Sequence, residues 1–93
     1  MILHHIQHSA NEDNALATCL RYAANHDSLL FSGNGLYTLL QTPWQEQLKA
    51  YTIFLLKDDV NARGLASRLS HFNIIDYSEF INQTLKHEKV ITW

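Results

Sequence analysis

One cysteine, six histidines and several aspartates beside apolar runs are the residues of this 93-residue chain that could do chemistry. Cys19 is the only candidate nucleophile. A cysteine attacks as its thiolate, which needs a helix N-terminus or a neighbouring cation together with access to solvent. Cys19 instead falls in the series Leu16-Cys19-Leu20-Ala23, whose spacing predicts the middle of a helix with one buried face. Arg21, near in sequence, projects from another side of that helix. The expectation is a packed thiol, and no catalytic residue is assigned.

The histidines suggest a metal, above all His4, His5 and His8. On a strand His4 and His5 point to opposite faces, so they cannot grip one ion together. No His-x-x-x-His pair lies on a predicted helix, and a lone cysteine excludes an internal disulfide or a multi-cysteine zinc site. The expectation is no metal. Gly33-Asn34-Gly35 has neither the GxGxxG spacing nor the Walker lysine of a phosphate loop, so it reads as a turn that sets shape, with no cofactor. Ser9, Asn34, Asp58, Asp59 and Asp76 fall at predicted strand-to-helix turns. Aspartates on one rim could hold a metal or move a proton. Each also stands where a helix begins, and capping is the reading adopted. No Ser/His/Asp or Cys/His constellation assembles from spacing.

Aromatic residues carry more information. Tyr37, Trp44, Tyr51 and Trp93 lie in or beside short elements of a domain too small to cover them all. Tyr and Trp favour interfaces because they bury much area and keep a polar handle. Asn34, Tyr37, Trp44 and Trp93 are therefore the candidate partner-interface residues.

Behind these residues stands a repeated strand–turn–helix unit. Met1 to Ile6 reads as the first strand, and Asn11-Glu12-Asp13-Asn14 opens a helix through Ala23. Ser28 to Ser32 is the second strand, followed by the glycine turn and a short helix at Leu36, Leu39 and Leu40 that Pro43 stops. Gln45 to Ala50 reads as a polar connection. Tyr51-Thr52-Ile53-Phe54-Leu55-Leu56 is the strongest strand, without alternation because both faces are covered. A helix follows through Val60 to Arg63, is interrupted at Gly64 and resumes over Leu65 to Leu69. Asn73-Ile74-Ile75 is a fourth strand. Asp76 and Glu79 form a capping box for a helix whose apolar face is Tyr77, Phe80, Ile81 and Leu85. Lys89 to Trp93 is a fifth strand. This alternation predicts an α/β fold with a five-stranded, mainly parallel sheet flanked by helices, forming one domain over residues 1–93.

Composition narrows the function. The net charge is −2 and 46% of residues are hydrophobic, so the chain can fold but has no basic stripe for binding nucleic acid directly. The N-terminus has no basic segment ahead of a long apolar core, and no run approaches the roughly 20 apolar residues that span a bilayer. A soluble cytoplasmic protein is expected. On the residues alone, it is an interaction module without its own active site. A small-ligand-binding domain using the Asn34 rim is the alternative from another class.

Six segments, in order along the chain, carry a resemblance: Met1-Ile2-Leu3-His4, Cys19-Leu20-Arg21-Tyr22, Gly33-Asn34-Gly35-Leu36-Tyr37, Asp59-Val60-Asn61-Ala62-Arg63-Gly64-Leu65, Ile75-Asp76-Tyr77-Ser78-Glu79-Phe80 and His87-Glu88-Lys89-Val90-Ile91-Thr92-Trp93. The chain resembles the TusB/DsrH family, the B subunit of a sulfur-relay complex. The resemblance implies a DsrE-like fold and a heterohexamer with TusC-like and TusD-like subunits. It implies persulfide transfer towards 2-thiolation of the tRNA wobble uridine, linked to tRNA only through sulfur carrier proteins. In the family the essential persulfide cysteine belongs to the D subunit. The DsrH branch, which serves sulfur oxidation, has a cysteine in its first helix, and Cys19 could correspond to it as a sulfur acceptor. Asn34 departs from the acidic residue common between the two glycines.

Overall fold

The computed structural model describes all of Met1–Trp93. Five strands, β1 (Ile2–Ile6), β2 (Ser28–Phe31), β3 (Thr52–Leu56), β4 (Asn73–Ile75) and β5 (Lys89–Thr92), form one sheet in the order β4-β3-β2-β1-β5. Every pair is parallel. A parallel neighbour requires a crossover, and here the crossovers are α1 (Ala15–Tyr22), a 3-10 segment (Gly33–Leu40) running into α2 (Thr42–Leu48), α3 (Lys57–Ala62) and α4 (Tyr77–Lys86). Central β2 is buried at all four positions, which is why it reads as an unbroken apolar run.

The two faces of the sheet are covered unequally. Ile6, Leu29, Phe31 and Leu55 meet Leu16 and Cys19 of α1, Leu36 and Leu39 of the 3-10 segment, Leu48 of α2, Val60 of α3, and Leu65 and Leu69. On the opposite face Leu3, Leu30, Phe54 and Ile75 have Phe80 of α4 as the apolar side chain packed against them. This single helix spans the sheet from edge strand β4 to edge strand β5.

Five expectations change at this level. Pro43 does not stop a helix; it sits in the first turn of α2, where a missing N–H breaks no intrahelical bond. Gln45 to Leu48 are accordingly helical rather than a polar connection. Gly64 ends α3 at φ 65° as expected, but Leu65 to Leu69 form turns whose two leucines reach the core. Finally, the spacing of Tyr77, Phe80, Ile81 and Leu85 does not mark a buried face. Phe80 packs inward, while Tyr77 is 63% exposed, Ile81 39% and Leu85 78%. Asp76 caps α4 through Glu79 N at 2.8 Å, but Glu79 turns to Gln83 instead of reaching back, so half of the capping box forms.

Candidate functional site

Parallel strands bring their carboxyl ends to one rim, the usual place for function in open α/β sheets. At the end of β2, Ser32 N donates to Ile6 O at 3.0 Å, and Gly35 N donates to Gln7 O at 3.2 Å. These bonds press the glycine turn onto the end of β1. Gly33 takes φ 53°, a left-handed conformation that glycine adopts without a steric penalty. A Cβ on Gly35 would lie 2.8 Å from Ile6 O, so this position admits no side chain without movement.

The first turn of α3 completes the rim. Asp59 Oδ2 accepts from Gly33 N at 2.8 Å. Arg63, one turn later, donates from its guanidinium to Asp59 O at 3.4 Å and to Asn34 Oδ1 at 3.2 Å, with its carbon 6.0 Å from the centre of the Tyr37 ring. Its Nε is buried without a partner. Asp59 therefore braces the turn instead of capping α3, whose N-cap residue, Leu56, provides no side-chain cap. Of the rim residues read as caps, Asp76 is one and Asp59 is not.

Strand pairing brings together two residues that spacing did not. His5 Nε2 and Ser32 Oγ lie 2.6 Å apart. Burial pushes the His5 imidazole below its ordinary range, and the negative charge of Asp59 only partly opposes this. A base beside a hydroxyl is one half of a nucleophile arrangement. The third member is missing, because the Asp59 carboxylate is bonded to the turn, and Ser32 is buried.

Cys19 is far from being an open thiol. Its residue is fully buried in the core beneath α1. Burial, with a smaller contribution from the Asp27 carboxylate, pushes its thiol up to about 12. His4 and His5 do point to opposite faces, His4 towards Asp27 and His5 towards Ser32 and Phe80. No three His, Cys, Asp or Glu side chains stand close enough together to hold a metal ion.

The four interface candidates do not form one patch. Asn34 and Tyr37 share the rim with Arg63, both exposed. Trp44 of α2 and Trp93 beyond β5 are half-buried and pack against the larger core. Periodicity puts Tyr77, Ile81 and Leu85 inside, whereas in the fold their spacing of four along α4 makes an exposed apolar stripe. An open groove of about 450 Å³ lies elsewhere, between α2 and the start of β4, over Leu48, Tyr51, Ile53 and Phe72. Lys49 and Glu46, which also line it, pair with each other at 3.0 Å.

No helix is long and apolar enough to cross a membrane. In three dimensions the chain is similar to the solution structure of protein Tm0979 from Thermotoga maritima, with a TM-score of 0.71, 26% identity and 95% of each chain covered. A protein from Bacteroides thetaiotaomicron, BT1422, shares the fold at a TM-score of 0.73 and 17% identity, over 99% of this chain and 94% of that one. In sequence, Protein TusB of Yersinia enterocolitica is 33% identical over 82 residues, 84% of this chain and 86% of the relative. Protein TusB of Yersinia pestis is 33% identical over 84 residues with the same coverage. The model of the DsrH-like proteins matches residues 8–90, which takes in the glycine turn, the Asp59–Arg63 brace and the α4 stripe, and the chain belongs to that family.

Proposed function

We propose that this chain is a non-catalytic subunit of a cytoplasmic sulfur-relay complex of the TusBCD type. It assembles with TusC-like and TusD-like subunits into a heterohexamer that passes persulfide sulfur towards 2-thiolation of the tRNA wobble uridine. The observation that carries this reading is similarity to TusB along most of the chain. The burial of Cys19 supports an accessory role, because a thiol raised to about 12 has almost no thiolate at neutral pH. The surface supports association: the Tyr77-Ile81-Leu85 stripe and the free outer edges of β4 and β5 are features that partners cover.

Co-expression tests it. The tagged chain should bring down its TusC-like and TusD-like partners in fixed stoichiometry, and deletion of its gene should lower 2-thiouridine in tRNA. Normal thiolation after deletion overturns the reading. Added sulfur on Cys19 after incubation with a persulfide donor, together with lost relay in Cys19→Ser, would replace it with direct transfer through this thiol.

A further inference from the structure

A buried polar chain ties the end of β5 to the first strand. The Trp93 indole Nε1–H lies 3.1 Å from His4 Nδ1. An indole N–H can only donate, so Nδ1 accepts and the His4 proton sits on Nε2. From there it is donated to Asp27 Oδ2 at 3.0 Å. Asp27 is further held by the backbone N–H groups of Ile2 and Ala24, both at 3.0 Å. His4 and Asp27 are almost fully buried, whereas Trp93 is only partly covered and stacks on exposed Tyr22 at 6.0 Å.

We infer that His4 is a proton-operated latch for Trp93. A proton taken from solvent onto Nδ1 turns that nitrogen from acceptor to donor, and the two N–H groups then face each other. The bond to Asp27 survives as an ion pair, so the strain falls entirely on the indole. Trp93 swings away from β1 while the His4–Asp27 link remains. The groups facing this network are Asp27 from the loop before β2, Cys19 of α1, whose thiol feels the Asp27 charge, and His26, 3.9 Å from Asp27 Oδ1. Asp27 accepts from one side of the His4 ring and Trp93 donates to the other.

Coupling of this kind is reciprocal. Removing the indole donor in Trp93→Phe should raise the ratio of protonated to neutral His4 about fivefold at any pH, the equivalent of one hydrogen bond of about 1 kcal/mol. Nitrogen-resolved NMR of the labelled chain reads both partners. On acidification the Trp93 indole signal should lose its protection from solvent exchange at the same midpoint as the His4 ring, while amides of β2 and β3 stay unchanged. The latch is overturned if the indole stays protected while His4 titrates. It is overturned equally if His4 stays neutral until the chain unfolds, or if Trp93→Phe leaves its titration where it was.

Discussion

The Asp59 carboxylate sits 2.8 Å from the backbone nitrogen of Gly33, bonding the first turn of α3 to the turn that leaves β2. This one contact joins two crossovers that the sequence separates by 26 residues. A charged acceptor on a backbone N–H is worth more than a neutral one. Asp59→Ala should lower unfolding stability by about 1–3 kcal/mol in urea melts. The amide of Gly33 should exchange faster in that variant, and an unchanged Gly33 amide would contradict the bracing role.

The glycines of the chain predict a graded response. Gly35→Ala puts a Cβ 2.8 Å from the Ile6 carbonyl, a backbone atom that cannot swing aside. Gly64→Ala meets nothing within 4 Å and bears only the strain of φ 65°. The second change should cost about 1–2 kcal/mol, the usual penalty for an L-residue in the left-handed region. The first should cost more, because overpacking against β1 adds to the loss. Thermal melts of the two variants side by side give the order.

Much of this architecture is legible in the chain, for physical reasons that differ by element. The strands can be read because a parallel sheet buried on both faces leaves unbroken apolar runs, Leu29-Leu30-Phe31 above all. Pro43 misleads because the same missing N–H that ends a helix is harmless in a first turn. The α4 stripe misleads differently: periodicity reports that Tyr77, Ile81 and Leu85 line up, but not whether anything lies over them. The His5–Ser32 and Asp59–Gly33 contacts are invisible locally, since each follows from how distant strands pair.

Cys19 should resist thiol reagents in the folded chain. With its thiol raised from 9.0 to about 12, mainly by burial, the thiolate fraction near pH 8 falls about a thousandfold against an exposed cysteine. Labelling by iodoacetamide should therefore be slow in buffer and rapid in urea. The same shift makes stability fall as pH rises from 9.0 towards 12, because the unfolded chain releases this proton first. Prompt labelling without denaturant would contradict the buried placement.

Asp27 sets the acid limb. Burial alone pushes its carboxyl up, but the bonds from His4, Ala24 and Ile2 outweigh it and bring the group from 3.8 to about 2. A carboxyl lowered on folding stabilises the native state fully above 3.8, and that contribution is lost as pH falls through about 2. The shift corresponds to about 2 kcal/mol. Asp27→Asn should be less stable than the parent at pH 7, and the difference should shrink as the pH is taken towards 2. A gap that does not depend on pH would place the loss in packing instead.

The stripe on α4 separates folding from assembly. Tyr77 and Leu85 are 63% and 78% exposed, and α4 buries no residue completely, so polar replacements at these two positions remove little intramolecular contact. Tyr77→Asp with Leu85→Lys should leave the stability of the isolated chain in urea melts within about half a kcal/mol of the parent. In a complex the same residues would lie against a partner, where a charge without a partner costs several kcal/mol. The double variant should therefore fold normally and fail to co-purify with the TusC-like and TusD-like subunits. Normal co-purification would move the contact surface to the rim around Asn34, Tyr37 and Arg63. A fall in the stability of the isolated chain would mean that the stripe supports the fold of the chain itself.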